Sequence, residues 1–202
     1  SKDSASAGEW AASVLSFTLI LRHLGNIGSL VLAESVMAQC HPRRIVGKWR
    51  EGFALDFHVL SSTPIGYNEF GHMQFDTKRS EIGELLYKLK YRSDQTAVDK
   101  IVDAAEAFIR KWKPNMDILV PVPPSNERRA SQPVLVLATA LSKRLQVRLA
   151  DCVKKKRNVP QLKNVYDFNE RLRLLADLYA VDAVATKDRK VLLFDDLYRS
   201  GA

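Results

Sequence analysis

Cysteine and histidine are scarce in this chain, and their scarcity excludes two classes of protein. The 202 residues include two cysteines, Cys40 and Cys152, which lie far apart, and four histidines without metal-like spacing. A disulfide framework needs a set of paired cysteines, and a structural zinc site needs four ligands. We therefore expect neither, and we interpret both cysteines as ordinary thiols.

Long apolar runs are missing as well. The longest one, residues 11–21, contains three serine or threonine residues. It is far shorter than the roughly 20 residues of a membrane-spanning helix. A secretory leader begins with positive charge, whereas Lys2 is offset at once by Asp3 and then by Glu9. The sequence thus predicts a cytoplasmic protein without membrane contact.

What the chain does have is an ordinary globular composition with an excess of basic residues. The apolar fraction is 46% and the charged fraction is 27%, which favours a folded chain with one core. The formal net charge of +8 suits an anionic partner. Net charge does not distinguish a nucleic acid from a small polyphosphate, so the placement of the charges has to decide.

The first 80 residues divide into two segments by pattern. Residues 11–39 keep a helical spacing of apolar side chains, which predicts two short helices. Residues 43–77 hold short apolar runs broken by proline and glycine, which favours strands and loops. We therefore divide the chain into an N-terminal helical extension (1–45), an irregular short-strand segment (46–80) and a domain (81–202).

The remaining residues alternate between helix and strand patterns. Helical periodicity begins after Ser80 and continues, with one break, to Trp112, before Pro114 stops it. The same criteria predict, in order, a strand at 117–123, a helix at 135–145, a strand at 147–153, a polar loop at 154–163, a helix at 168–178, an extended segment at 179–184 and a strand at 191–194. This alternation predicts an α/β fold with a parallel sheet flanked by helices.

Two acids follow the last predicted strand. Four apolar residues, 191–194, run directly into Asp195 and Asp196, which places both carboxylates at the carboxyl end of a buried strand. Open α/β sheets bind their ligands at that end. Neighbouring carboxylates accept hydrogen bonds from a vicinal diol, as on ribose, and hold the waters of a Mg²⁺ ion. The loop 197–202 would present backbone N–H groups to a phosphate.

This segment resembles the 5-phosphoribosyl-1-diphosphate (PRPP) binding motif of the type I phosphoribosyltransferases. That motif is a hydrophobic strand, two acids, a few variable residues and then Ser/Thr-Gly-Ala-Thr. The resemblance implies that Asp195 and Asp196 are the catalytic acids, holding the ribose hydroxyls and Mg²⁺, the latter directly or through water. It also implies that the 5′-phosphate lies in a loop made of Tyr198, Arg199, Ser200, Gly201 and Ala202.

Further landmarks resemble one branch of that family, the ComF-like proteins, which are related to a competence factor for DNA uptake. The landmarks are residues 86–94, residues 120–129, and Pro160-Gln161 with Arg171. They cover roughly the last 60% of the chain. The resemblance implies a pyrophosphate loop at Pro123, Pro124 and Ser125, and a mobile lid carrying Lys154, Lys155, Lys156 and Arg157.

The chemistry of PRPP fits those residue types. Transfer from PRPP expels pyrophosphate as oxocarbenium character develops at the anomeric carbon, so catalysis is mostly positioning and neutralisation of charge. Cations on a closing segment would neutralise the diphosphate and exclude water.

The family pattern continues beyond the position of Ala202 with a threonine, a helix and at least one more strand. By that resemblance the chain stops inside its PRPP loop, with its α-carboxylate where the phosphate belongs. We therefore expect it to bind PRPP poorly as written. We also expect the strand that ends at Phe194 to lose a neighbour and leave an open edge.

Three interpretations stay open. The first is a ComF-like phosphoribosyltransferase of nucleotide metabolism, which binds PRPP or a ribose 5-phosphate-type ligand with Mg²⁺ and serves an unknown acceptor. The second is a non-catalytic binding module of the same fold that assists DNA uptake and contacts single-stranded DNA. The third is an inactive, truncated product. The oligomeric state is open too, and a homodimer is among the possibilities.

Overall fold

The computed structural model describes residues 12–19, 38–124, 131–157, 159, 165 and 167–198, with the backbone alone at 12–19 and 168. The strands are β1 (Ala12–Leu19), β2 (Arg43–Arg44), β3 (Glu51–Phe57), β4 (Ser61–Tyr67), β5 (Met73–Lys78), β6 (Ile118–Pro121), β7 (Arg148–Leu149), β8 (Val153–Lys155), β9 (Tyr179–Val181) and β10 (Val191–Asp195). The helices are α1 (Glu81–Arg92), α2 (Thr96–Trp112), α3 (Pro133–Leu145), α4 (Phe168–Leu175) and α5 (Ala183–Thr186).

A six-stranded sheet organises the fold, in the order β2-β3-β1-β10-β6-β7. Its pairings are parallel, apart from the short antiparallel pairing of β2 with β3. Two antiparallel ribbons, β4–β5 and β8–β9, accompany it. The prediction of an α/β fold with a parallel sheet flanked by helices is confirmed at this level.

Residues 12–19 correct the prediction of an N-terminal helical extension. They form β1, which pairs in parallel with β3 on one side and with β10 on the other. A short apolar run does not distinguish a buried strand from a helix by spacing alone, and here the two ladders supply the hydrogen bonds that a helix would have made internally. Residues 38–45, which that prediction also covered, hold the short strand β2 and no helix. The rest of the prediction, at 1–11 and 20–37, lies outside the described residues.

Strand β10 corrects a second expectation, that the strand ending at Phe194 leaves an open edge. β10 lies inside the sheet, where Val191 is opposite Ala12 of β1 and opposite Ile118 of β6. Its ladder continues past β6, since Val122 N–H donates to the Phe194 carbonyl at 2.8 Å. The acids at the end of β10 are therefore held between two neighbouring strands.

Local chemistry sets where α1 begins and where both α1 and α2 end. Ser80 caps α1, because its Oγ accepts a hydrogen bond from Gly83 N–H at 2.9 Å. The helix ends at Ser93, which adopts a left-handed conformation and returns its N–H to the Lys88 carbonyl. Helix α2 ends in the same way at Lys113, immediately before Pro114.

The two faces of the sheet are packed differently. On one face, Leu55, Leu119 and Phe194 are fully buried against α1, α2 and α3. On the other face, Ile118 and Val120 pack with the segment after β7, beside α5. Each buried side chain of this size contributes about 1.5–3 kcal/mol by leaving water. Because residues alternate along β10, Asp195 at its end and Asp196 just after it are directed toward these two different environments.

None of the helices in the described part of the chain has the length and apolar character that a membrane crossing requires.

Candidate functional site

The carboxyl end of β10 lies at a reversal of the sheet topology. From β1 the chain goes to β3 on one side, whereas β10, β6 and β7 lie on the other side of β1. Such reversals leave a crevice beyond the carboxyl ends of parallel strands, where α/β proteins bind ligands. Asp195 ends β10 and Asp196 follows it, so the structure brings both predicted acids to this position.

Asp196 lies on the helical side of the sheet and is held by a lysine of α1. Lys90 Nζ is 2.9 Å from Asp196 Oδ1, and the two side chains are only 10% and 15% exposed. This ion pair ties α1 to β10 across 106 residues of sequence. Because few waters reach it, removing either partner would leave an uncompensated charge.

Asp195 lies on the other side of the sheet, and burial raises the pKa of its carboxyl group. Burial, and then the neighbouring charge of Asp196, raise the pKa of Asp195 to about 7. Lys90 and the backbone N–H groups of Asp196 and Leu197 oppose that rise. The Asp196 N–H donates to Asp195 Oδ1 at 2.8 Å. Asp195 therefore responds to any cation or hydrogen-bond donor that enters the crevice.

The β8–β9 ribbon borders Asp195. Tyr179 begins β9, and burial, followed by the charge of Asp195, raises the pKa of its phenol. Lys155 of β8 is paired with Tyr179 in the ribbon. Its Nζ donates to the Pro124 carbonyl at 2.5 Å, which connects the ribbon to the loop after β6. The predicted pyrophosphate-loop residues Pro123 and Pro124 thus lie beside this cation, while Ser125 lies outside the described residues.

Of the four residues predicted to form a mobile lid, two lie in a strand and two follow it. Lys154 and Lys155 belong to strand β8 rather than to a loop, because their backbones pair with Ala180 and Tyr179. Lys156 and Arg157 do follow the strand as a bend. The prediction of a polar loop is therefore wrong at Lys154 and Lys155, where pairing with β9 overrides the polar composition, while the lid role of the four residues stays a prediction.

Arg157 has a structural partner of its own. Its Nη2 donates to the carbonyls of Leu174 and Ala176, at 3.2 and 3.0 Å, at the end of α4. These bonds satisfy carbonyls that a helix end leaves without internal partners. Lys156 is 3.9 Å from the exposed Asp177. Both cations therefore anchor α4 to the ribbon in this structure.

Tyr198 begins the predicted phosphate loop and is packed against aromatic side chains. Its ring meets Trp49 edge-on, with 6.2 Å between the centroids, near the buried Ile45 and Ala54. Burial raises the pKa of its hydroxyl group. Tyr198 thus anchors the start of the loop, and the predicted phosphate ligands Arg199, Ser200, Gly201 and Ala202 lie outside the described residues.

A histidine and an arginine beside the Lys90–Asp196 pair were not anticipated. Within the described part of the chain, His58 Nδ1 and Arg79 Nε are buried without a hydrogen-bond partner. Burial, then Lys90 and Arg79, lower the pKa of His58 to about 4, so its imidazole is neutral at pH 7. The guanidinium group of Arg79 also lies 4.0 Å from the Tyr87 ring centroid. The helical side of the sheet end thus carries two cations, Lys90 and Arg79, which are paired with Asp196 and Glu84 respectively.

The side chains at the end of β10 fit a Mg²⁺ ion that is held partly by a ligand, rather than one enclosed by protein groups alone. Among the described residues no three acidic, histidine or cysteine side chains come together as a closed metal site. Mg²⁺ does not need one, since it is commonly held by one or two carboxylates, waters and substrate phosphates. Burial, before the charge of Asp196, raises the pKa of Asp195, so a cation bound there would favour its ionised form. Asp195 and Asp196 are thus the residues that would hold the ion, with a phosphorylated ligand completing its shell.

Sequence reasoning missed Lys90, His58 and Tyr179. Lys90 resembles any surface lysine of an amphipathic helix, and its partner is 106 residues away. His58 and Tyr179 stand at the ends of strands without a local motif. The available signal was the topology itself, because the carboxyl ends of parallel strands and the helices after them meet at one edge.

Comparison with known proteins adds no relative: neither the models of known protein families nor the curated proteins include a match to this chain.

Proposed function

We propose that this protein binds PRPP, or a closely related phosphoribosyl ligand, with Mg²⁺, as a phosphoribosyltransferase of the ComF-like type. One observation carries the proposal. The adjacent acids Asp195 and Asp196 end a central parallel strand, beside the loop of Pro123 and Pro124. Two acids suited to a diol thus lie next to a candidate diphosphate loop.

The two carboxylates are suited to the ribose. Ionised carboxylates accept two or more hydrogen bonds, and a vicinal diol offers two donors at fixed spacing. Asp196 already forms an ion pair with Lys90 at 2.9 Å. Asp195, whose pKa is about 7, gains the most from the donors and cations that a ligand brings, because they stabilise its charged form. Ligand binding should therefore be accompanied by proton release from Asp195.

The diphosphate needs positive charge on the other side of the crevice. Pro123 and Pro124 lack N–H groups and cannot donate to a phosphate. Lys155, whose ammonium group reaches the Pro124 carbonyl, brings a cation to that loop. When bound, Mg²⁺ would neutralise the charge that develops on the leaving diphosphate. The protein's own part is to orient the ribose through the two acids and to supply Lys155.

Calorimetric titration of Mg²⁺-PRPP tests the proposal. The chain is titrated beside a version continued past Ala202 by the threonine and helix of the family pattern. We expect Mg²⁺-dependent, saturable binding by the continued version, at least tenfold weaker in Asp195→Asn and Asp196→Asn. Asp188→Asn is the matched control, since Asp188 is exposed and in a left-handed conformation that asparagine tolerates. No binding by either version, or equal losses in the control, would contradict the proposal.

A further inference from the structure

The β4–β5 ribbon, hereafter the arm, has one apolar face that is exposed. Residues directly opposite each other in a ribbon share a face, and here Pro64 faces Phe75 while Tyr67 faces Met73. Tyr67, Phe75 and Met73 are 71%, 54% and 40% exposed. The opposite face is polar, with Asp76 across from Thr63. Within the described part of the chain, the apolar face of the arm is uncovered.

The arm is nonetheless a well-formed ribbon. Asn68 closes its turn, because its Oδ1 accepts hydrogen bonds from Phe70 N–H at 3.0 Å and His72 N–H at 2.8 Å. Gly71 takes the positive φ of 75° that the turn requires. A two-stranded ribbon alone is marginally stable in water, and further strands stabilise it. Pairing with a further strand would therefore stabilise the arm.

Its two edges differ in their capacity to accept another strand. The outer edge of β4 contains Pro64 and a register shift between Pro64 and Gly66, and both features block pairing. β5 contains neither. Asn68 N–H donates to the His72 carbonyl at 2.9 Å, so residues 72 and 74 direct their backbones toward β4. By alternation, Met73, Phe75 and Thr77 present N–H and C=O groups outward.

Charge indicates which partner suits the arm. Over residues 61–78 the charged side chains are Glu69, Asp76 and Lys78, two acids and one base, which give a formal charge of −1. The whole chain carries +8. A nucleic acid finds little positive charge on the arm, and two copies of a basic chain approach with less repulsion there than between their basic surfaces.

We propose that β5 pairs in antiparallel fashion with β5 of a second copy of this chain, forming a two-fold dimer with a four-stranded sheet. The register sets Phe75 opposite Phe75 of the second copy, Met73 opposite Thr77 and Gln74 opposite Asp76. A slip by two residues would set Asp76 against Asp76, which is destabilising. The interface is self-complementary, as a two-fold axis demands. Cross-strand contact between the two Phe75 rings covers part of the apolar face of each arm.

Sedimentation equilibrium over a concentration series tests this dimer with the full chain. Wild type should show a concentration-dependent dimer. Phe75→Pro removes an N–H that points away from β4, so it should spare the arm and weaken dimerisation at least tenfold. Circular dichroism confirms that the variant is folded. A monomer at every concentration, or a Phe75→Pro dimer as tight as the wild type, would overturn the proposal.

Cross-linking tests the register independently of any loss of function. Directly opposite residues of antiparallel strands have Cα atoms about 4.5–5.5 Å apart, which is within the range of a disulfide. Phe75→Cys should therefore form a covalent dimer under copper-phenanthroline oxidation. Val46→Cys, at a side chain 87% exposed and outside the arm, is the matched control. Equal cross-linking of both variants would contradict the Phe75 register.

Discussion

At the carboxyl end of β10, charged side chains are buried, whereas on the arm large apolar side chains are exposed. Lys90 and Asp196 are 10% and 15% exposed, while Tyr67 is 71% exposed. Each region departs from the usual distribution of polarity, in opposite directions. Buried charge suits a small, highly charged ligand that replaces water, and exposed apolar surface suits a protein partner. One fold thus presents two regions of opposite polarity, for which we propose two different kinds of partner.

Removal of Lys90 should have the largest effect on stability, because it breaks the ion pair at the buried end of β10. Lys90→Met leaves Asp196 without its cation and should lower the free energy of unfolding by about 3–5 kcal/mol. Urea denaturation at pH 7 measures it. Lys100→Met, an exposed lysine of α2, should stay within about 0.5 kcal/mol of wild type. Similar losses in both variants would mean that the Lys90–Asp196 pair stabilises the protein no more than an exposed lysine does.

The pH dependence of stability should follow Asp195. Its pKa in the folded protein, about 7, is above its ordinary value of 3.8, so the folded state binds the proton more tightly. That stabilisation is complete below about pH 4 and is lost as the pH rises through 7. Between pH 5 and pH 8 the free energy of unfolding should fall by about 2 kcal/mol.

Asp195→Asn is the matched variant for that measurement, because asparagine cannot titrate. Urea midpoints at pH 5 and pH 8 should differ clearly less in Asp195→Asn than in wild type. An equal pH dependence in the two proteins would assign the effect to other groups.

Substitution of Gly83 tests how tightly α1 packs against the sheet. A Cβ on Gly83 would lie 2.3 Å from the His58 carbonyl oxygen, a backbone atom that cannot move alone. Gly83→Ala should therefore destabilise the protein by about 1–3 kcal/mol, although alanine normally favours a helix. Thermal unfolding measures the change. Lys88→Ala in the same helix should change stability little, and a stabilising Gly83→Ala would show that α1 has room to shift.

The arm should show the smallest effect on folding. Tyr67→Ser removes an exposed ring and should change the free energy of unfolding by no more than about 0.5 kcal/mol. Urea denaturation of a dilute sample, where a dimer is dissociated, makes the measurement. A loss above about 2 kcal/mol would mean that the arm belongs to the folding core.

Much of the fold could be predicted because the C-terminal elements have strong local signals. Ser80 as a helix cap and Pro114 as a helix stop placed α1 and α2, and the apolar run before Asp195 placed β10. Residues 12–19 lacked such a signal, because their apolar spacing fits a helix as well as a strand. Only the neighbouring strands β3 and β10 decide that β1 is extended.

The candidate site was also predictable only in part, because some of its contacts join distant parts of the chain. Asp195 and Asp196 follow a readable strand, so their position at its carboxyl end could be foreseen. Lys90 could not, because its partner comes from the far end of the chain. The strand position of Lys154 and Lys155 depends on pairing with Ala180 and Tyr179, which composition does not reveal.

The most direct test of the central claim is to map Mg²⁺-PRPP binding by amide NMR on the chain continued past Ala202. The account predicts saturable shifts at the backbone amides of Val122, Asp195, Asp196 and Leu197. It predicts unchanged amides at Gln74 and Phe75 of the arm. Saturable shifts confined to the arm, or no shifts at the end of β10 at saturating ligand, would contradict the assignment of this crevice to a phosphoribosyl ligand.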